Sequence, residues 1–181
     1  EIQYCDWSSD VCSSDLEPNV FSAKFSGGAL MDLGVYTIYA AVLLFDAPQS
    51  VCYTAQQLPN SVDLNGSGSL IYPDFQVRIQ AGKNINSHLP AEIYTDQGTL
   101  TLDGIEYIRS AIFLKLNGET ESLAIRQADH QMLEEAQAFA QVLKGGQEEL
   151  YSDYLQAAAA VHDCIFAMRK DAGIRFEVDH D

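Results

Sequence analysis

Positive charge is what this sequence has least of. Ten Lys and Arg stand against 26 Asp and Glu in 181 residues, a net charge of −16. So few cations cannot form a phosphate-neutralising patch, which argues against a nucleic-acid partner. Cysteine is sparse: Cys5, Cys12, Cys52 and Cys164 show neither metal-ligand spacing nor a dense disulfide framework. A reducing, cytoplasmic compartment is therefore expected, with no bound metal. No uninterrupted apolar run reaches membrane-span length, the longest being Tyr36–Phe45, and no membrane partner is expected. No basic region followed by an apolar core opens the chain. Finally, no Gly-x-Gly-x-x-Gly joins a strand to a helix, so no dinucleotide fingerprint is present. Gly66-Ser67-Gly68 lacks the third glycine and falls among strands.

What is present is enough for one domain with a sizeable core, since 47% of the residues are hydrophobic. The first sixteen residues read differently. Ser8 to Asp15 is rich in Ser and Asp, with neither helical nor strand periodicity. Asp-Trp-Ser-Ser-Asp-Val-Cys-Ser-Ser-Asp-Leu, residues 6 to 16, resembles the translation of a common short-read sequencing adapter. Residues 1–16 are accordingly expected to be foreign and disordered, and are set aside from fold reasoning. Without them Trp7, Cys5 and Cys12 leave the inventory, and ten cations face 22 acids, a net charge of −12. On that reading the native chain starts near Glu17, within a gene.

From Gly27-Gly28 an apolar stretch runs from Ala29 to Phe45. Leu30, Leu33, Tyr36 or Thr37, Ala40 and Leu44 recur at helical spacing, and Asp46-Ala47-Pro48 ends the pattern. A strand is expected over residues 51–58, a turn at Asn65-Gly66, and paired strands over 68–72 and 75–81 about Pro73-Asp74. Phe75, Val77, Ile79 and Ala81 alternate with Gln76, Arg78 and Gln80, the period of a sheet with one buried face. Strands at 92–95, 99–102, 107–116 and 121–125 continue the series, with turns at Gly98, Gly104 and Asn117-Gly118. Two helices close the chain. Met132, Leu133, Ala136, Phe139, Ala140 and Leu143 form the stripe of the first, which stops at Gly145-Gly146. The second is expected to be capped at Ser152-Asp153, to carry the stripe Leu155, Ala158, Val161, Ile165 and Met168, and to end before Gly173. Residues 174–178 could add a last strand. The order predicts an α+β fold: a largely antiparallel open sheet of six or seven strands with helices packed on one face.

Asp32 and Tyr36 are the polar groups at the start of the apolar helix, four apart and so on one face. From spacing alone two readings stand. In one, Asp32 bonds the glycine turn and Tyr36 fills the core; in the other, both serve a site. The segment Ser26-Gly27-Gly28-Ala29-Leu30-Met31-Asp32-Leu33-Gly34-Val35-Tyr36 resembles the start of the C-terminal domain in the glucose-fructose oxidoreductase, inositol dehydrogenase and rhizopine-catabolism (Gfo/Idh/MocA) family. That pattern is a glycine-rich turn, an Asp, a Gly two residues on, and His or Tyr four residues after the Asp. Asp32, Gly34 and Tyr36 match it, and Ser26 stands where a glycine is common. The tyrosine is similar to the branch with dihydrodiol and NADP-dependent xylose dehydrogenases. The resemblance extends over residues 17–181, through Lys83-Asn84-Ile85-Asn86-Ser87, Ala91-Glu92-Ile93-Tyr94, Gly98-Thr99-Leu100 and the final helices.

The resemblance implies the substrate-side domain of an NAD(P)-dependent oxidoreductase acting on a CH–OH group of a sugar, polyol or dihydrodiol. It makes Tyr36 the proton donor or acceptor for the substrate hydroxyl and Asp32 the residue that orients hydroxyls or the proton-transferring group. A tyrosine ordinarily titrates near 10 and needs a nearby positive charge to act as a base. The resemblance assigns that charge to a lysine in a Glu-Lys-Pro motif of a nucleotide-binding domain, and this chain has no such motif. NAD or NADP is therefore expected in a full-length parent, with no cofactor site and no turnover in this chain alone. Lys83, Asn84 and Asn86 either reach substrate or are plain loop residues. His88, His130 and His162 lack metal spacing, and Cys52 and Cys164 are expected to be buried thiols. A hydrolase or lyase is a further option within such a family. An open sheet face needs covering, and the resemblance implies a homo-oligomer through it. That leaves a competing class, a non-catalytic oligomerisation or scaffold module.

Overall fold

The computed structural model describes residues 19–125, 130, 132–176 and 179. Residues 1–16, Asp129 and the last two positions of the expected strand at 174–178 lie outside them. The chain divides into two compact units, one of residues 1–86 and 156–181, the other of residues 87–155. Among the described residues, seven strands and three α-helices give an α+β fold. The strands are all antiparallel and make two sheets, β1-β2-β3 and β4-β5-β6-β7. Between β3 and β4, residues 83–90 end in Pro90, which has no N–H to donate to a ladder, and no strand forms there.

In the first unit, β1 (Ser50–Gln57), β2 (Asp63–Ile71) and β3 (Gln76–Gly82) form a meander. The register sets Tyr53 opposite Gly68 and Gly68 opposite Ile79. Val51, Tyr53, Ala55, Leu70, Val77 and Ile79 therefore share one face. That face packs on α1 (Val35–Phe45) and on the C-terminal part of α3 (Glu148–Asp171). Leu30, Ile38, Leu70 and Met168 are completely buried there, each side chain contributing about 1.5–3 kcal/mol. Cys52, Thr54, Ser67, Arg78 and Gln80 alternate onto the opposite, exposed face. Cys52 is thus an exposed thiol where a buried one was expected, because its strand parity sends it away from the helices. Cys164 is buried as expected, and burial pushes its thiol above the ordinary value.

The expected turn at Asn65-Gly66 is instead the middle of β2. The chain reverses at residues 58–62, where Ser61 N–H donates to Leu58 O and Leu58 N–H to Val62 O. The glycines serve packing. A Cβ on Gly66 would sit 2.3 Å from the Tyr53 ring, and one on Gly68 would sit 2.9 Å from it, so the ring lies flat on bare backbone. Pro73-Asp74 does turn β2 into β3, with Phe75 stacked on Tyr72 at 4.6 Å.

Helix α3 begins at Glu148, four residues before the expected cap, so Ser152-Asp153 lie inside it. Glu148 and Glu149 occupy the first turn, where negative charge suits the helix dipole. Its end is a Schellman motif: Gly173 has φ +70°, Ile174 N–H donates to Arg169 O, and Gly173 N–H donates to Lys170 O. Beyond it Ile174 and Phe176 are buried. Arg169, itself buried, forks onto Asp179 through two hydrogen bonds of 3.1 and 3.0 Å and stands 4.1 Å over Phe176. Asp171 takes the Tyr53 N–H on the outer edge of β1, and Gln57 Nε2 donates to Ala172 O.

In the second unit, β4 (Ala91–Tyr94), β5 (Gly98–Leu102), β6 (Ala111–Lys115) and β7 (Thr120–Leu123) pair in chain order. β6 is shorter than the expected 107–116. Asp103 draws Arg109 and Ser110 N–H onto Oδ1, each at 2.9 Å, and makes residues 103–110 a loop. These donors hold the Asp103 carboxyl below its usual value. Helix α2 (Leu133–Lys144) stops at Gly145 as expected. Its stripe from Met132 to Leu143 is exposed rather than buried.

Candidate functional site

The site is built at the entry to α1. By length and composition, Ala23–Phe45 is apolar enough to cross a membrane. It is, however, a 3-10 turn (Ala23–Phe25), a glycine corner, a π turn (Leu30–Gly34) and then α1, with its apolar side on the first sheet. Gly28 has φ +130°, a conformation that a side chain would strain. Gly34 leaves room for the buried Leu30 side chain, whose Cδ1 would lie 2.9 Å from a Cβ at this position. The expected single helix from Ala29 thus opens with a wider π turn, a form that recurs at functional sites.

The π turn carries Asp32, and the first turn of α1 carries Tyr36. Both are exposed, Asp32 on 46% of its side chain and Tyr36 on 49% of its surface. That removes the reading in which Tyr36 fills the core. Only the Asp32 N–H bonds the glycine turn, at Gly28 O, and its carboxylate has another partner. Its Oδ2 accepts a hydrogen bond from Lys83 Nζ, which follows β3 and is only 9% exposed along its side chain. The Lys83 ammonium also stands 5.6 Å over the Phe21 ring. Asp32 and Lys83, 51 residues apart in sequence, are therefore brought together. Asn84 faces a different partner: Asn65 Nδ2 donates to Asn84 Oδ1 at 2.9 Å and to Gln56 Oε1 at 2.8 Å. Asn86 and His88 are exposed beyond it, and His162 is exposed on α3. Among the described residues no cluster of His, Cys, Asp and Glu could hold a metal.

A residue that sequence reasoning passed over governs the helix entry. Asp63, 1% exposed, accepts the Leu30 N–H at 2.8 Å and the Tyr53 hydroxyl at 3.1 Å, both on Oδ2. Its Oδ1 has no donor among the described residues and lies against Gly28, where a Cβ would come within 2.1 Å. Burial, then the Asp63 charge and hydrogen bond, push the Tyr53 hydroxyl well above the usual tyrosine range. A lone Asp between Val62 and Leu64 carries no sequence mark of this role. The one hint is the Gly28 that its approach requires.

This geometry does not fit a dinucleotide. The Leu30 N–H that a phosphate would use is taken by Asp63, and a carboxylate already occupies the helix end. Gly27 presses on the backbone of Asn19 and Val20, where a Cβ would lie 2.7 Å away. Gly66 and Gly68 are covered by Tyr53.

The profile of the GFO/IDH/MocA C-terminal domain matches residues 1–101, and the chain belongs to that family of oxidoreductases. It is similar to scyllo-inositol 2-dehydrogenase (NADP(+)) IolU of Bacillus subtilis, with 32% identity over 97% of this chain and 54% of the relative. It is also similar to the uncharacterized oxidoreductase YgjR of Escherichia coli, with 31% identity over 98% of this chain and 54% of the relative. The chain thus spans about half the length of the curated relatives it matches. In fold it resembles UDP-N-acetylglucosamine 3-dehydrogenase GnnA of Acidithiobacillus ferrooxidans. The TM-score is 0.62 at 11% identity, covering 87% of this chain and 51% of that one.

Proposed function

We propose that this chain is the substrate-side domain of an NAD(P)-dependent oxidoreductase acting on a secondary alcohol of a polyol or sugar. The observation that carries the proposal is the Asp32–Lys83 pair at the π turn, with Tyr36 four residues beyond Asp32. A polyol presents neighbouring hydroxyls, each both donor and acceptor. The Asp32 carboxylate accepts from one, the Lys83 ammonium donates to another, and the Tyr36 hydroxyl exchanges the proton of the reacting carbon's oxygen. The inositol dehydrogenase named among the relatives supports a cyclic polyol. Asn84 adds a polar group at the same strand end as Lys83.

NAD or NADP would accept the hydride. Since no dinucleotide cradle is found among the described residues, it would be held by another domain, and the 181-residue chain is inactive by itself. The protein works in the cytoplasm on a small molecule, apart from nucleic acid and membrane. Residues 1–16 are read as foreign to the native gene product, although the family match includes them.

The test is kinetic. In the product of the intact gene, Tyr36→Phe lowers kcat about 10²–10⁴-fold while polyol binding persists, the range for loss of a positioned acid–base group. Full activity of that variant overturns the role of Tyr36. Reduction of NAD or NADP by a polyol with the purified 181-residue chain overturns the assignment of the cofactor to another domain.

A second reading concerns assembly. The exposed sheet face bearing Cys52, Thr54, Ser67, Arg78 and Gln80 supports a homo-oligomer joined through it. Sedimentation of the chain is expected to show dimers that Arg78→Glu weakens. A monomer at high concentration overturns this reading.

A further inference from the structure

One dipeptide at the start of β2 grips both halves of the substrate-side pair. The Asp63 carboxylate holds the Leu30 N–H, the first of the π turn that carries Asp32. The Leu64 carbonyl accepts the N–H of Lys83 itself at 2.9 Å. Asp32 and Lys83 thus hang from adjacent residues of one strand. Tyr53, lying flat on Gly66 and Gly68, steers the Asp63 carboxylate from the other side.

A carboxylate buried with one bare oxygen is an expensive way to satisfy one amide and one hydroxyl. Stability alone is as well served by apolar packing at such positions. What Asp63 does is geometric. It reaches through the gap left by the missing Gly28 side chain and fixes where the π turn begins.

We propose that Asp63 is the positioning residue of this site, setting the π turn so that Asp32 meets Lys83. The inference deepens the reading of Asp32 and Lys83 as the substrate-binding pair and rests on it. It identifies no contact of Asp63 with substrate.

The test is lysine acetylation of the full 181-residue chain, read residue by residue by mass spectrometry. In the parent chain Lys83 labels slowly. Asp32→Asn raises its rate, which establishes the pair in solution. Asp63→Ala raises the Lys83 rate roughly tenfold, the factor that corresponds to one buried hydrogen bond. Lys24, Lys115, Lys144 and Lys170 keep their rates, and Asp63→Asn, which retains the acceptor, restores slow labelling.

If Asp32→Asn accelerates Lys83 and Asp63→Ala does not, the positioning role is overturned while the pair stands. Equal acceleration of all five lysines overturns it too, by showing a general loss of structure. No change with Asp32→Asn removes the pair and the proposal together. If Asp63→Ala does not fold, amide exchange of the parent chain decides. A Leu30 N–H protected as strongly as the β2 ladder supports the anchor, and one exchanging at the unprotected rate overturns it.

Discussion

At the scale of single residues, the most exacting demand falls on Tyr53. Its ring covers two glycines, its hydroxyl donates to a buried carboxylate, and its N–H is taken by Asp171. Tyr53→Phe keeps the ring and leaves Asp63 with one donor, a loss of about 1–3 kcal/mol that chemical denaturation would register. The pH dependence follows from the direction of the shift. The folded protein holds Tyr53 protonated beyond the point, near 10, where an unfolded tyrosine loses its proton. Above that point the unfolded chain binds fewer protons, so stability falls as pH rises. The contribution is fully present below about pH 10, and Tyr53→Phe therefore loses stability less steeply in alkali than the parent. Identical alkaline slopes would place the Tyr53 hydroxyl in water. The same residue shows why part of the site was illegible. Asp32 and Tyr36 stand in one short motif and could be singled out from sequence. Asp63 meets Leu30 across 33 residues and Tyr53 across ten, with no local pattern to mark it.

At the scale of elements, periodicity worked in β3 and along the C-terminal half of α3, where Val161, Ile165 and Met168 are buried, and not along α2, whose stripe is exposed. The alternation in β3 and the glycine stop of α3 appear in the structure where the sequence puts them, whereas the stripe expected on α1 does not: Leu33, Tyr36 and Leu44 are exposed, and Ile38, Ala41 and Val42 are buried in their stead. It failed where a residue answers to a distant partner. Asn65-Gly66 has the composition of a turn, yet Gly66 is small because Tyr53 lies on it. Residues 107–110 have the composition of a strand, yet Asp103 gathers Arg109 and Ser110 into a loop. The π turn also escapes a helical template, because the extra residue it absorbs moves the buried face of α1 one position along, onto Ile38 and Ala41 rather than Thr37 and Ala40. These distinctions are testable. Gly66→Ala puts a methyl into the Tyr53 ring and costs about 1–3 kcal/mol, as overpacking does. Gly118→Ala, at a turn where nothing lies within 4 Å, carries only the strain of φ +86° and costs less in the same melt. Reversal of that order would deny the glycines of β2 their packing role.

At the scale of the whole molecule, the first unit is discontinuous in sequence. Its sheet and α1 come from residues before 87, and the helix that completes its core arrives only after residue 155. Val161, Cys164, Ile165 and Met168 cover the same face as Tyr53 and Leu70. A chain ending at Leu155 therefore exposes that face, and its first unit loses cooperative unfolding and aggregates. Retention of a sharp two-state melt in that unit would contradict the shared core. The second unit keeps β4 to β7 within one continuous segment.

The tie between Asp171 and the Tyr53 N–H spans 118 residues. It makes this protein's assembly a matter of timing. During synthesis the first three strands leave the ribosome long before the helix end that will occupy their free edge. Until then β1 offers an unpaired row of backbone groups, the template on which chains join edge to edge. Slow release of the last turns of α3, or their loss by early termination, would prolong that interval. Yield from expression should therefore depend on the final twenty-odd residues far more than their share of the chain suggests.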